Sequence, residues 1–142
     1  MSWVIFAVLT IICYTLMDLF IKLSAGKIES GLGGLIINLA SVIPPLLWVV
    51  LFKLSGQKVP HTKDGLIYST IAGLSIGIGA ICFMKMFATG VNLSIGVPFV
   101  RIGIVIAASI LGVVLLKEGL SPKLLVGLIL SLTGLYLLIG AK

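Results

Sequence analysis

Five long apolar runs, each closed by a short polar, glycine or proline segment, account for nearly the whole chain. They cover approximately residues 3–23, 32–52, 66–88, 93–116 and 123–140. Each has about the 17 to 25 residues that an α-helix needs to cross roughly 30 Å of hydrocarbon. Strands of a membrane β-barrel would be about half as long and would alternate in polarity. The pattern therefore predicts an all-α polytopic membrane protein, a five-transmembrane-helix bundle forming one membrane domain over residues 1–142. Gly26 reads as the stop of the first helix and Ser30 as the N-cap of the second. A loop with Pro60 precedes the third, for which Thr62 or Asp64 supplies the cap. Only Gly90, Val91 and Asn92 separate the third and fourth spans, which predicts a tight antiparallel hairpin. Ser121 caps the fifth, with Pro122 at the first helical position, where its missing N–H costs nothing.

The opening run, Trp3 to Leu23, lacks the basic start and small-residue cleavage site of a secretory signal and contains Asp18 and Lys22. It reads as a retained span.

Composition agrees with this class. Apolar residues make up 60% of the chain and charged residues 10%, whereas a soluble domain carries about a quarter of its residues as charges. The net charge of +6 comes from Lys and Arg residues scattered through short turns, so it reports membrane topology and argues against nucleic acid. With the N-terminus inside, Lys53, Lys58, Lys63, Lys117 and Lys123 fall in the cytoplasm and Lys22, Lys27 and Lys142 outside. The bias is small. An odd number of spans places the C-terminus outside, and so weak a bias also permits insertion in both orientations. Cys13 and Cys82 lie inside apolar runs without metal-ligand spacing. No phosphate-cradling loop, metal cluster or catalytic constellation stands out, and the one histidine, His61, lies in a loop. Neither an enzyme nor a cofactor is expected.

Polar residues inside the spans are the candidate chemistry, because a charge in hydrocarbon is costly and marks function by default. Thr10, Tyr14, Asp18 and Lys22 recur every four residues and form one stripe on the first helix. Asp18 precedes Lys22 by four, the favourable order for an intrahelical ion pair. Asp18 has an equally good structural role, as the neutralising partner of Lys22 near a membrane edge. Arg101 lies eight positions after Leu93, roughly 12 Å along the fourth helix, too deep for easy snorkelling. With the N-terminus inside, Asp18, Lys22, Lys85 and Arg101 share one side of the membrane. Such a cluster has two positive charges in excess, which suits a carboxylate or phosphate. Alternatively, Arg101 pairs with Asp18 as structural glue while both lysines snorkel. Pro98, one turn before Arg101, can kink the helix and open space around the guanidinium. Pro44 and Pro45 interrupt the second helix and are read as shaping its packing. Asn38, six residues before Pro44, touches substrate or another helix. Gly73, Gly77 and Gly79 mark internal close packing of the third helix.

The stretch F-M-K-M-F-A-T-G-V-N-L-S-I-G-V-P-F-V from Phe83, followed by L-L-K-E-G-L-S-P-K-L-L-V-G-L-I-L-S-L-T-G-L-Y-L-L, resembles an EamA-type domain of the drug/metabolite transporter superfamily. Pro98, Glu118, Gly127 and Gly134 stand at the places where that family has a proline early in its fourth helix, a glutamate after a leucine-rich end, and two spaced glycines in its last helix. The resemblance covers the C-terminal half well and the rest by span count. The usual member has two such domains in tandem. A single domain implies function as a dimer, with Gly127, Ser131 and Gly134 at the subunit interface. The segment T-I-I-C-Y-T-L-M-D-L-F-I-K-L-S-A-G from Thr10 is also similar to the first helix of the small multidrug transporters. Their proton-binding glutamate would fall at Tyr14, which argues against proton-coupled export of cationic drugs.

Together these observations predict a secondary-type carrier of a small anionic or zwitterionic metabolite, working by alternating access. Its expected location is the cytoplasmic membrane of a bacterium or archaeon. The expected partners are the lipid bilayer, the transported solute, and a second copy, antiparallel or replaced by an oppositely oriented paralogue. The expected pathway comprises Tyr14, Asp18, Lys22, Asn38, Lys85, Pro98 and Arg101. Competing readings are a multidrug or lipid-linked-sugar exporter and, from another class, a membrane subunit that docks to a partner without transporting. An enzyme acting on lipid would need an acid, base or metal site that the sequence does not offer.

Overall fold

A computed structural model describes residues 3–140 and contains six α-helices: α1 (Trp3–Ser24), α2 (Ser30–Ser41), α3 (Ile43–Leu54), α4 (Lys63–Ala88), α5 (Leu93–Leu115) and α6 (Pro122–Gly140). Helices α2 and α3 together make one apolar span, Ser30–Leu54, so the described chain has five segments long and apolar enough to cross a membrane. The all-α, five-span architecture predicted by the hydrophobic pattern is thus the one observed, and the protein is an integral membrane protein. Residues up to Gly90 form one compact unit and those from Val91 onward a second.

The helix starts differ from the predicted ones where a cap lies further upstream. Glu29, not Ser30, caps α2: its carboxylate accepts a hydrogen bond from the Leu32 N–H at 2.8 Å. Ser30 becomes the first helical residue. Thr62 caps α4 by accepting from Gly65 N–H at 3.1 Å, and Asp64 sits in the first turn, where its charge complements the helix dipole. Ser121 caps α6 by accepting from Leu124 N–H at 3.1 Å, with Pro122 directly after it. Gly26 follows the end of α1 with φ of 78°, a left-handed conformation that a glycine adopts without steric penalty.

The prolines inside the spans have different outcomes. Helix α5 runs unbroken through Pro98. In the second span Val42, between α2 and α3, keeps helical torsions, φ −71° and ψ −27°, so Pro44 and Pro45 interrupt the hydrogen-bond ladder and not the course of the helix. Two consecutive prolines withhold two consecutive N–H groups, and the ladder resumes with the Leu46 N–H bonded to the Val42 carbonyl at 3.0 Å.

Within the first unit, α1 and α2 both pack on α4. The buried residues there are Asp18 and Ile21 of α1, Gly33 and Gly34 of α2, and Met84 and Phe87 of α4. The close approach uses Gly33 and Gly34. A methyl group on Gly33 would collide with the Met84 thioether, and one on Gly34 would lie 2.9 Å from Ile81 Cγ1. Gly73, Gly77 and Gly79, expected to make the close contacts of this helix, have nothing among the described residues within 4 Å of their Cβ positions. The spacing signal was right in kind and wrong in place. The seam forms where glycine is consecutive and opposed by a long flexible methionine that fills the gap.

In the second unit α5 and α6 pack together. The C-terminus of α5 closes with Lys117 in the left-handed region, φ of 56°, and with Glu118 N–H bonded to the Gly112 carbonyl at 3.1 Å. This seven-to-one bond closes the helix end one residue wider than the six-to-one bond of a Schellman turn. The Glu118 carboxylate folds over Gly112, leaving no room for a Cβ there.

Candidate functional site

The polar stripe of α1 divides along its length. Thr10 and Tyr14 are exposed on this chain, and the Thr10 hydroxyl donates to the Phe6 carbonyl at 2.8 Å. Asp18, one turn further, is only 3% exposed, although it is an acidic residue well inside an apolar span. No buried side-chain nitrogen or oxygen among the described residues lacks a hydrogen-bond partner. Lys22, one turn beyond Asp18, is half-buried, and its Nζ stands 5.3 Å from the centre of the Phe87 ring on α4. That distance is within cation–π range. Phe87 is itself buried and meets Phe83 edge-on, with ring centroids 4.9 Å apart. The favourable α1 order, Asp18 then Lys22, is therefore built into an α1–α4 contact that the sequence pattern did not reveal.

Lys85 lies in the last turn of α4, as its place in the span predicts. It is exposed on α4, and its charge is felt by Glu29, the cap of α2. The Glu29 carboxyl is held below its ordinary range, first by the Gly31 and Leu32 backbone N–H groups and further by Lys85. Glu29 was absent from the expected pathway because its neighbour Ser30 is the more usual cap. An acid at the start of a span, where the helix dipole favours it, is the signal that could have singled it out. Asn38 is half-buried, and its Nδ2 donates to the Gly34 carbonyl at 2.7 Å, on the turn where α2 meets α4.

Of the predicted pathway residues, Asp18, Lys22, Asn38 and Lys85 belong to the first unit, together with Tyr14. Pro98 and Arg101 belong to the second, where both are half-buried on α5. Tyr14, Asp18, Lys22 and Arg101 are all engaged by partners. The second unit also has a cavity of about 200 Å³ between α5 and α6, lined by Ser109, Val113, Leu120, Leu124 and Leu128 among others. Its walls are apolar and hold none of the expected pathway residues. Gly127 and Gly134 on α6 have no atom within 4 Å of their Cβ positions, and the Ser131 hydroxyl donates to the Gly127 carbonyl at 2.8 Å.

What this arrangement can do chemically is hold charge inside a membrane. The charged groups in question are the shielded Asp18 carboxylate, the Lys22 ammonium over an aromatic face and the Arg101 guanidinium inside a span. No family model, curated protein or solved structure matches this chain.

Proposed function

We propose that this chain is one protomer of a dimeric secondary carrier of the drug/metabolite type, akin to a single EamA-type domain, that moves a small anionic or zwitterionic metabolite by alternating access. The observation that carries the reading is Asp18, a carboxylate 3% exposed inside a membrane span, followed one turn later by Lys22. Charges are retained at such depth mainly where a pathway, a relay or a partner needs them. Arg101, deep in α5, adds a fork suited to a carboxylate or phosphate. Two five-span chains supply the paired bundles that alternating access requires, and Gly127, Ser131 and Gly134 offer a small-residue face for their contact.

Flux into proteoliposomes tests the proposal. Arg101→Ala is expected to reduce uptake of an anionic metabolite by at least about tenfold, the loss of one charge-assisted contact, while the protein remains dimeric. Normal flux through that variant would place the site elsewhere. A second reading is a membrane subunit that assembles with a partner and does not transport. The Lys22–Phe87 contact favours it, because it gives the lysine a packing role. Under that reading substitution of Arg101 is tolerated, and substitution of Gly33 or Gly34 is not.

A further inference from the structure

The apolar cavity between α5 and α6 has no part in the charged pathway, and its place in the hairpin gives it a chemistry of its own. It measures about 200 Å³, and apart from Ser109 its lining residues are all isoleucine, valine or leucine. On α5 it spans Ser109 to Val114, within two turns of the helix end at Leu115. On α6 it spans Leu124 to Leu128, within two turns of the start at Pro122. At about 1.5 Å per residue it reaches roughly 9 Å from the loop into the span. Half of a hydrocarbon core about 30 Å thick is deeper than that, so the cavity sits in a single leaflet. Leu120, in the loop, lines it too, which puts one end of it at headgroup level.

Positive charge gathers at that end. Lys117 and Lys123 stand on either side of Leu120 in the sequence, Lys123 directly precedes Leu124, and both lysines are exposed. Glu118, the acid of the same loop, turns its carboxylate back over Gly112 of α5. Residues 102–116 and 124–140 contain no charged side chain. The order is therefore two cations at the interface and an aliphatic slot directly beneath them. Ile110, Val114 and Leu125 are exposed on this chain, and unfilled space beside such residues forfeits dispersion contacts along the walls. A second copy is not required to supply them. At 3.6 residues per turn, the small-residue face of Gly127, Ser131 and Gly134 lies about 100° around α6 from Leu124, Leu125 and Leu128.

We propose that the α5–α6 groove holds one acyl chain of an anionic phospholipid, with the Lys117 and Lys123 ammonium groups meeting its phosphate. Lysine suits this task, because its apolar stem lies along the chain while its charge rises to the headgroup. Basic pockets between transmembrane helices recognise anionic headgroups by the same physics. A choline head brings its own positive charge to the lysines, so phosphatidylglycerol is favoured over phosphatidylcholine. The site is independent of the carrier reading, because lipid binding is measured without flux.

The test uses the full-length protein in detergent, where orientation of insertion has no influence, with bound lipid read by native mass spectrometry. Titration with dioleoyl phosphatidylglycerol is expected to fill one saturable site per chain. Its affinity is expected to exceed that of dioleoyl phosphatidylcholine by at least about tenfold, the preference that two lysines near an anionic group provide. Lys117→Gln with Lys123→Gln is expected to abolish that preference and leave phosphatidylcholine binding unchanged. Lys53→Gln with Lys58→Gln, an equal loss of charge in another loop, is expected to keep it. Dibutyryl phosphatidylglycerol, with the same head and short chains, is expected to bind at least about tenfold more weakly, since it leaves most of the groove unfilled. Val113→Phe and, separately, Leu128→Phe fill the groove from either helix and are expected to remove the saturable site. Equal affinity for the two dioleoyl lipids overturns the proposal, as does an equal loss in the Lys53 and Lys58 variant. Dibutyryl lipid that binds as well as dioleoyl reduces the site to one for a phosphate alone and also overturns it. So does a folded groove-filling variant that keeps its lipid, and if that variant has lost its dimer the groove belongs to a second copy.

Discussion

Glu29 is the residue whose contribution to stability depends most directly on conditions. Its carboxyl is depressed by the Gly31 and Leu32 N–H groups and by Lys85, so its folded-state pKa lies below its unfolded value. The stabilisation is therefore complete above the ordinary carboxylate range and is lost as pH falls through the folded pKa. Glu29→Gln is expected to melt lower than the unmodified protein at neutral pH, with the gap closing as the pH drops below about 4. A pair of melting curves across pH 3 to 7 checks this, and a gap that stays constant would mean that the carboxylate is not the capping species. Asp18 is a different case. Its place in a polar stripe was legible from a four-residue spacing. Its burial was not, because the shielding comes from α4, a helix some forty residues downstream. Lys85 shows the same limit: its depth could be read along one helix, but its neighbour Glu29 lies on another.

At the scale of elements, caps and breakers decide where helices begin and end, and they were largely readable. Thr62, Ser121 with Pro122, and Gly26 perform the roles that local chemistry assigns them. Ser30 does not, because Glu29 reaches the same N–H groups from one position earlier. The glycine seam was the hardest feature to read. Glycines abound in this chain, and spacing alone could not choose Gly33 and Gly34 over Gly73, Gly77 and Gly79. The choice is made by the opposing helix, which presents Met84 and Ile81. Met84 is 1% exposed and has no free space into which to retreat. Gly33→Ala is accordingly expected to destabilise the protein by about 1–3 kcal/mol, the usual cost of overpacking. Gly73→Ala, with open space around it, is expected to be neutral or slightly stabilising, since alanine is the better helix former. Denaturation of the two variants side by side in detergent distinguishes them, and equal effects would mean that the α2–α4 seam is not a tight contact.

The whole molecule turns most of its apolar surface outward. Trp48, Leu54 and Tyr136 are each more than two-thirds exposed, as lipid-facing or partner-facing residues of a bundle must be. Span number and length could be read from sequence because hydrocarbon thickness sets them. Orientation could only be biased, because it rests on few charges. With the N-terminus inside, five lysines lie in the cytoplasmic loops and three on the other side. Neutralising Lys117 and Lys123 leaves three against three. The fraction of chains with the C-terminus inside is therefore expected to rise severalfold. Side-specific labelling of a C-terminal tag reads that fraction, and an unchanged value would show that something other than loop charge sets topology.

The dependence of both α1 and α2 on α4 also has a consequence for how the protein is made. A nascent chain that has delivered Leu54 to the bilayer has two spans but not the helix that shields Asp18 and receives Gly33 and Gly34. Until the third span leaves the ribosome, that carboxylate and the glycine face are open to lipid and to membrane proteases. Synthesis slowed between residues 54 and 88 would prolong that interval, so the short α3–α4 loop also limits how long the half-made protein stays vulnerable.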